Sequence, residues 1–455
     1  MEQDNSREEV LLLLIDIEKK KMMSSQGLSD LLLRYQFAPK QQRAFMTRLF
    51  SGTLEQQIYL DYVLNQFSKK EMGKQKPLIR CLLRMSLYQI LFMDQVPDRA
   101  ACNEAVKLAR KKGFSNLSGF VNGILRNIIR KKDQIRMPEE EKDPLFYLSI
   151  RYSIPEWILK IWRKMYPYET VKKMAAASLE HPKVSVRVNQ SKISVEEVID
   201  SLKSQDVLVE KGAYLPYMLK ISEFDSLDRL TAFREGWIQV QDESSAFVGH
   251  LADPNEDSVI LDVCSAPGGK SLHLADILAQ KGGTGRIIAR DVSEKKTDLI
   301  EENIERCGFD RIRTECFDGR QQDETWIRKA DLVLADVPCS GLGILARKND
   351  IKYNSSPDKM KELVVLQRQI IKNAASYVKP GGILLFSTCT INPEENMENR
   401  AWILEHFPFE PEDFSMLMPE GLKEERASEG YLQLLPGIHQ TDGFFIAKFR
   451  RISDE

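Results

Sequence analysis

The sequence predicts three folded parts in series: an all-α bundle, a small α+β module, and a C-terminal α/β domain on a mostly parallel sheet. Three observations predict this. Apolar residues recur at helical spacing up to about residue 135. The character changes after the charged stretch Met137–Asp143, which reads as a linker. From about residue 240, short apolar runs alternate with helical patterns. The expected boundaries are 1–140, 145–235 and 236–455.

In the first part the periodic stretches are Val10–Ile15, Leu28–Leu33, Leu78–Met93 and Ala105–Ile129, with Pro39, Pro77 and Pro97 between them. In the second part, Pro155–Tyr166 opens a helix with proline in its first turn, Val184–Val188 is a short strand, and Val195–Leu202 is a helix. Gly236–Ser245 leads into the third part. There the expected strands are Val259–Val263, Arg286–Arg290, Ile312–Cys316, Leu332–Asp336 and Gly382–Ser387. The expected helices are Gly269–Gln280, Ser293–Cys307, Pro357–Tyr377 and Pro393–Phe407, and Phe444–Phe449 closes the chain as an antiparallel edge strand.

Composition narrows the function classes. The 455 residues are 42% hydrophobic and 29% charged, a globular balance. The leading apolar run, Val10–Ile15, is too short for a membrane span, and Lys19, Lys20 and Lys21 follow it, so neither a membrane anchor nor a signal peptide is expected. A cytoplasmic protein follows. The seven cysteines form no CxxC pair and no histidine stands at ligand spacing from them, so neither disulfides nor a metal is expected. Net charge is −2, but residues 1–150 hold 25 Lys and Arg against 18 Asp and Glu. Nine basic residues and one acid lie in Lys107–Arg136, a surface suited to phosphates or simply a solvated helix face.

In an open parallel sheet, ligands bind outside the carboxyl ends of the strands. After the first strand comes Cys264-Ser265-Ala266-Pro267-Gly268-Gly269-Lys270, whose glycines let backbone approach a ligand at a helix N-terminus. Asp291 ends the second strand, 22 residues past Gly269, where a ribose-binding acid is expected. Asp318 and Asp336 follow the third and fourth. Such a set suits ribose hydroxyls, an exocyclic amine and a positive centre, the three features of S-adenosylmethionine. A phosphate-binding loop would need glycine at Cys264, and GxGxxG is absent.

Cys339 (in Asp336-Val337-Pro338-Cys339) and Cys389 (in Ser387-Thr388-Cys389-Thr390) also follow strand ends. The remaining cysteines, Cys81, Cys102, Cys264, Cys307 and Cys316, read as buried small hydrophobes. Two thiols beside a methyl-donor cleft suit methylation at C5 of cytosine. That carbon becomes nucleophilic only after a thiolate adds to C6, and a base must later remove the C5 proton. Asp336 is placed to assist at the cytosine N3. Spacing does not say which cysteine attacks.

CSAPGGK, DVPCSGLG and STCTINPEENMEN closely resemble the RNA 5-methylcytosine methyltransferases of the Sun/Fmu and NOL1/NOP2 superfamily, with GWIQVQDESS and TDGFF as further blocks. Glu104–Arg130 is similar to the NusB-like domain of the family's bacterial small-subunit branch. The resemblance implies a NusB-like bundle, an RNA-binding middle module and a Rossmann-like class I methyltransferase domain. It makes Cys389 the nucleophile and Cys339 the residue that helps release product, with S-adenosyl-L-methionine on Cys264–Lys270, Asp291, Asp318 and Asp336. Pro near Asn349 and Trp near Tyr353 would be usual; their absence bears on how the target base is held. The implied substrate is 16S ribosomal RNA before the mature subunit, bound by a monomer without membrane or metal. Phe114, Arg126, Arg130, Lys131 and Lys132 are candidates for RNA contact. The alternatives are a noncatalytic RNA-binding assembly factor, or the same chemistry on transfer RNA or large-subunit RNA.

Overall fold

The computed structural model describes residues 5–20, 23–422 and 425–452. Lys21, one of the three lysines noted above, lies outside them. The chain forms two compact units, residues 1–180 with 345–354, and residues 181–344 with 355–455. Contacts thus divide the chain near residue 180. The helices after residue 144 group with the bundle, and the small sheet groups with the large one.

The first unit contains α1 (Ser6–Lys20), α2 (Ser24–Arg34), α3 (Lys40–Glu55), α4 (Gln57–Phe67), α5 (Pro77–Phe92), α6 (Asp98–Lys111), α7 (Ser118–Arg130), α8 (Pro144–Tyr152), α9 (Glu156–Met165) and α10 (Tyr168–Ala177). Its axis is α5, which starts with Pro77 at N1 and is buried on nearly every face from Ile79 to Ile90. A helix apolar all round belongs at a bundle centre, and α1, α3, α4, α6 and α7 pack on it. Arg84, buried on α5, is held by both oxygens of Asp61 at 2.7 and 2.5 Å.

The segment 345–354 packs within this unit. Asn349 Nδ2 donates to Glu55 Oε1 at 2.9 Å, Lys352 Nζ to the Glu55 carbonyl at 2.9 Å, and the Ser24 N–H to Asp350 at 3.0 Å. Tyr353, where a Trp would be usual, packs here with its hydroxyl 3.3 Å from Ser153 Oγ. Burial pulls the Lys352 ammonium down to about 7 from its ordinary 10.5. Between about pH 7 and 10 the unfolded chain holds a proton that the folded chain does not. Folding stability therefore rises with pH across that window, by up to on the order of 1 kcal/mol per pH unit. Urea titrations of the wild type and Lys352→Met are expected to differ by this slope; parallel curves contradict it.

The second unit begins with a small antiparallel sheet, order β2-β3-β1-β4, made of β1 (Val184–Val188), β2 (Leu208–Lys211), β3 (Met218–Ser222) and β4 (Ile238–Val240). Helix α11 (Val195–Lys203), opened by a Ser194–Glu197 capping box, and α12 (Thr231–Arg234) cover it. After α13 (Glu243–Ala252) comes the large sheet, with β5 (Val259–Asp262), α14 (Gly269–Lys281), β6 (Arg286–Asp291), α15 (Glu294–Cys307), β7 (Ile312–Cys316) and β8 (Ala330–Asp336). The short α16 (Ile351–Asn354) lies in the segment already described. The chain continues with α17 (Pro357–Tyr377), β9 (Val378–Thr388), α18 (Met397–His406), β10 (Phe409–Pro411), β11 (Tyr431–Leu434) and β12 (Phe444–Arg451).

The sheet order is β10-β12-β9-β8-β5-β6-β7, with β11 also paired to β12. Strands β5 to β9 are parallel, and β12 runs antiparallel to β9. The order reverses between β5 and β8, where a ligand crevice is expected. Two sequence expectations are corrected. β12 is an interior strand, not an edge, because β10 and β11 both pair with it; they are too short and irregular to show as periodic runs. Cys316 is exposed and Cys264 half-buried, not buried, since each falls at the carboxyl end of a strand where the sheet opens.

Candidate active site

The turn from β5 to α14 is stitched from both sides. The Ser265 N–H donates to the Arg290 carbonyl at 2.8 Å, and the Ala266 N–H to Asp291 Oδ2 at 3.0 Å. Asp262 at the end of β5 accepts from Ser271 Oγ at 2.6 Å, and burial pushes its carboxyl up to about 6. Gly268 has φ +97°, and a Cβ there would come within 3.1 Å of Ile300. It caps α14 without any side-chain acceptor for the helix N–H groups. At Gly269 a Cβ would meet only the Gln241 amide, at 3.9 Å. The result is an open helix N-terminus edged by small residues, which fits an anionic group such as an amino acid carboxylate.

Asp291 completes this turn. Its Oδ1 accepts from the Val292 N–H at 2.7 Å and from Lys296 Nζ at 2.8 Å. Asp318, beyond edge strand β7, pairs both oxygens with Arg320 at 2.6–3.0 Å, and that hydrogen bonding holds its carboxyl below the usual range. Arg320 was not anticipated from the sequence as the partner of this acid.

At the end of β8, Asp336 accepts from Lys270 Nζ at 2.6 Å and from Ser387 Oγ, on β9, at 2.7 Å. Lys270 therefore serves Asp336. Burial opposes its charge, yet the ion pair with Asp336 dominates and its pKa rises, with Cys389 among the groups that favour its charged form. By reciprocity, the ammonium favours the Cys389 thiolate. The Cys339 and Cys389 sulfurs lie 3.2 Å apart. The Cys339 thiol is pushed well up, first by its hydrogen bond to Cys389 and then by burial. Cys339 is therefore the member of the pair that keeps its proton when one is lost.

The structure brings Cys264–Lys270, Asp291, Asp336, Cys339 and Cys389 to the carboxyl edge of β5, β6, β8 and β9. It places Phe114, Arg126, Arg130, Lys131 and Lys132 in the other unit. Arg126 and Arg130 are exposed on α7, Lys132 pairs with Asp98 at 2.9 Å, and Phe114 lies half-buried beneath Lys76. Among the described residues, no group of His, Cys, Asp and Glu could hold a metal, and no helix is long and apolar enough to cross a membrane. Sequence reasoning also missed Glu395, which is fully buried beside both cysteine loops. The NPEEN run contains it, but nothing in its spacing marks it as internal.

A reversed-order parallel sheet, a glycine turn backed by strand-end acids and a facing thiol pair define the class: a class I methyltransferase. Three family matches agree with this architecture. Residues 250–450 match "16S rRNA methyltransferase RsmB/F", residues 4–130 match the NusB family, and residues 154–227 match the ferredoxin-like domain of RsmF/B-like methyltransferases. The chain is 36% identical, over 99% of its length and all of the relative's, to the probable ribosomal RNA small subunit methyltransferase B of Bacillus subtilis (strain 168). It is 32% identical, over 98% of its length and 99% of the relative's, to the protein of the same name in Synechocystis sp. (strain ATCC 27184 / PCC 6803 / Kazusa). The crystal structure of PH0851 superposes with a TM-score of 0.81 at 26% identity, covering 99% of each chain. The chain belongs to the ribosomal RNA small subunit methyltransferase B family, with a NusB-like helical part, a ferredoxin-like module and a methyltransferase domain.

Proposed function

We propose that this chain transfers a methyl group from S-adenosyl-L-methionine to C5 of a cytosine in 16S ribosomal RNA, with Cys389 as nucleophile and Cys339 as the residue that frees the product. The observation that carries the reading is the 3.2 Å approach of the two sulfurs beside Asp336 and the glycine turn. S-adenosyl-L-methionine, when bound, supplies an electrophilic methyl group. Residues Cys264 to Lys270, with Asp291, Asp318 and Asp336, would hold it. Asp291 and the open N-terminus of α14 match its ribose and its carboxylate.

The chain's own residues account for the other steps. Lys270 favours the Cys389 thiolate, which forms the Sγ–C6 bond and leaves C5 enamine-like. As the thiolate adds, N3 takes a proton from solvent and the Asp336 carboxylate accepts a hydrogen bond from that N3–H, so negative charge does not build on the ring; the proton returns to solvent on elimination. Once Cys389 is bonded to carbon its charge is gone, and with it the first cause of the raised Cys339 pKa. Cys339 then loses its proton to water and takes the C5 proton. The C5–H electrons form the C5=C6 double bond as the Sγ–C6 bond breaks, returning Cys389 as thiolate. The target cytosine leaves its stack to reach these sulfurs. Arg126, Arg130, Lys131, Lys132 and Phe114 are the bundle's candidates for phosphate and stacking contacts to RNA. In this reading the enzyme is a cytoplasmic monomer that acts on 16S ribosomal RNA before the subunit matures.

Removing the Asp291 carboxylate strips the turn of three acceptor contacts. Asp291→Ala is expected to weaken S-adenosylmethionine binding by about 10- to 100-fold in calorimetry, the range of one or two charge-assisted hydrogen bonds. Unchanged affinity would remove Asp291 from the cofactor site. Bisulfite sequencing of RNA from a deletion strain tests the substrate. One 16S cytosine is expected to lose its protection; a loss confined to transfer RNA or large-subunit RNA would move the same chemistry to that substrate.

A further inference from the structure

We propose that Glu395 is the positioning residue for both cysteines: its buried carboxylate clasps the loop after β8 to the loop after β9 and so sets the separation of the two sulfurs. The functional half of this proposal rests on the covalent reading above; the geometric half does not.

Glu395 lies just before α18 with none of its surface exposed. Its Oε1 accepts from Ser340 Oγ and from Asn392 Nδ2 at 3.0 Å. Its Oε2 accepts from the Ser340 N–H at 2.8 Å and from Gln367 Nε2, on α17, at 2.9 Å. Gln367 Nε2 also donates to the Pro338 carbonyl at 2.9 Å, and Ser340 Oγ lies 2.8 Å from Thr390 Oγ1. The residues on both sides of Cys339 and those following Cys389 therefore belong to one network centred on one carboxylate. The Gly343 N–H adds a separate tie, donating to the Cys389 carbonyl at 3.1 Å.

A carboxylate has about four acceptor sites, and here all are filled. A buried charge is a poor way to gain stability, since apolar residues of similar volume often serve as well. What a charge-assisted network supplies is registry: short, directional bonds that fix groups to within about 0.5 Å. Two sulfurs that must reach C6 and the C5 proton of one base need that registry, because misplacement by about 1 Å can cost on the order of 100-fold in rate.

Glu395→Gln keeps the shape but turns an amide NH2 toward the donors. The test bridges the two thiols with dibromobimane, which fluoresces when it links close thiols, in full-length protein without RNA; the signal lost in Cys389→Ala defines the pair. In Glu395→Gln, bridging is expected to slow roughly tenfold, and kcat at saturating RNA to fall by about 100-fold with KM within about twofold. A folded Glu395→Gln with wild-type bridging overturns the proposal. If that variant does not fold, Ser340→Ala decides. It deletes one donor and the Thr390 link while the carboxylate keeps its other three partners, so a several-fold loss of bridging supports the proposal and none overturns it. Slower bridging in the variant together with no methyl transfer by the wild type would uphold the positioning role and reject the covalent reading.

Discussion

Cys339→Ala, incubated with target RNA and S-adenosylmethionine, is expected to accumulate a protein–RNA adduct that survives a denaturing gel, whereas Cys389→Ala gives none. The asymmetry follows from the unequal surroundings of the two thiols. Cys389 sits in the field of Lys270, which favours its thiolate, so it can attack without Cys339. Without Cys339, no thiol stands within 3.2 Å of that sulfur to take the C5 proton, and the Sγ–C6 bond persists. Removing a covalent nucleophile costs on the order of 10⁴-fold or more in turnover, so Cys389→Ala methylation should fall below detection in a standard tritium-transfer assay. An adduct from Cys389→Ala and none from Cys339→Ala would invert the roles.

Asp336→Asn carries the second large effect. The carboxylate accepts from Lys270 at 2.6 Å and from Ser387 at 2.7 Å, and so holds the ammonium that favours the Cys389 thiolate. The neutral amide stabilises a proton at the cytosine N3 far less than the carboxylate does, and it leaves the Lys270 charge uncompensated. Loss of acid–base assistance costs about 10²–10⁴-fold, so single-turnover methylation should slow by that factor. Cofactor affinity should fall by less than that factor, since Asp291 and Gly268 to Gly269 are intact. A loss confined to cofactor binding would assign Asp336 to the cofactor alone.

Most of the scaffold could be read from the chain. Strand-to-helix alternation after residue 240 and the full length of Pro357–Tyr377 follow from periodicity, because both faces of the sheet are covered and its strands are continuous apolar runs. Edge detail was not legible. β10 and β11 are three and four residues long, so their pairing with β12 depends on distant partners. Within the site, strand-end position singled out Cys339, Cys389, Asp291 and Asp336. It could not show that Asp318 is paired with Arg320 two residues on. Nor could it assign Lys270 to Asp336, 66 residues away, or show that Glu395 is buried. Those pairings arise where separate strand ends converge. The segment 345–354 is a similar case: its Asn349, Lys352 and Tyr353 are answered by Glu55 and Ser153, and no local pattern links them.

The most direct test of the thiol pair uses target RNA carrying 5-fluorocytidine. The fluorine blocks removal of the C5 substituent, so wild-type enzyme is arrested at the methylated covalent stage. Tandem mass spectrometry of the digested adduct then identifies the bonded residue. The nucleotide is expected on the peptide containing Cys389, with the methyl group already transferred. A nucleotide on Cys339, or no adduct from active enzyme, contradicts the account.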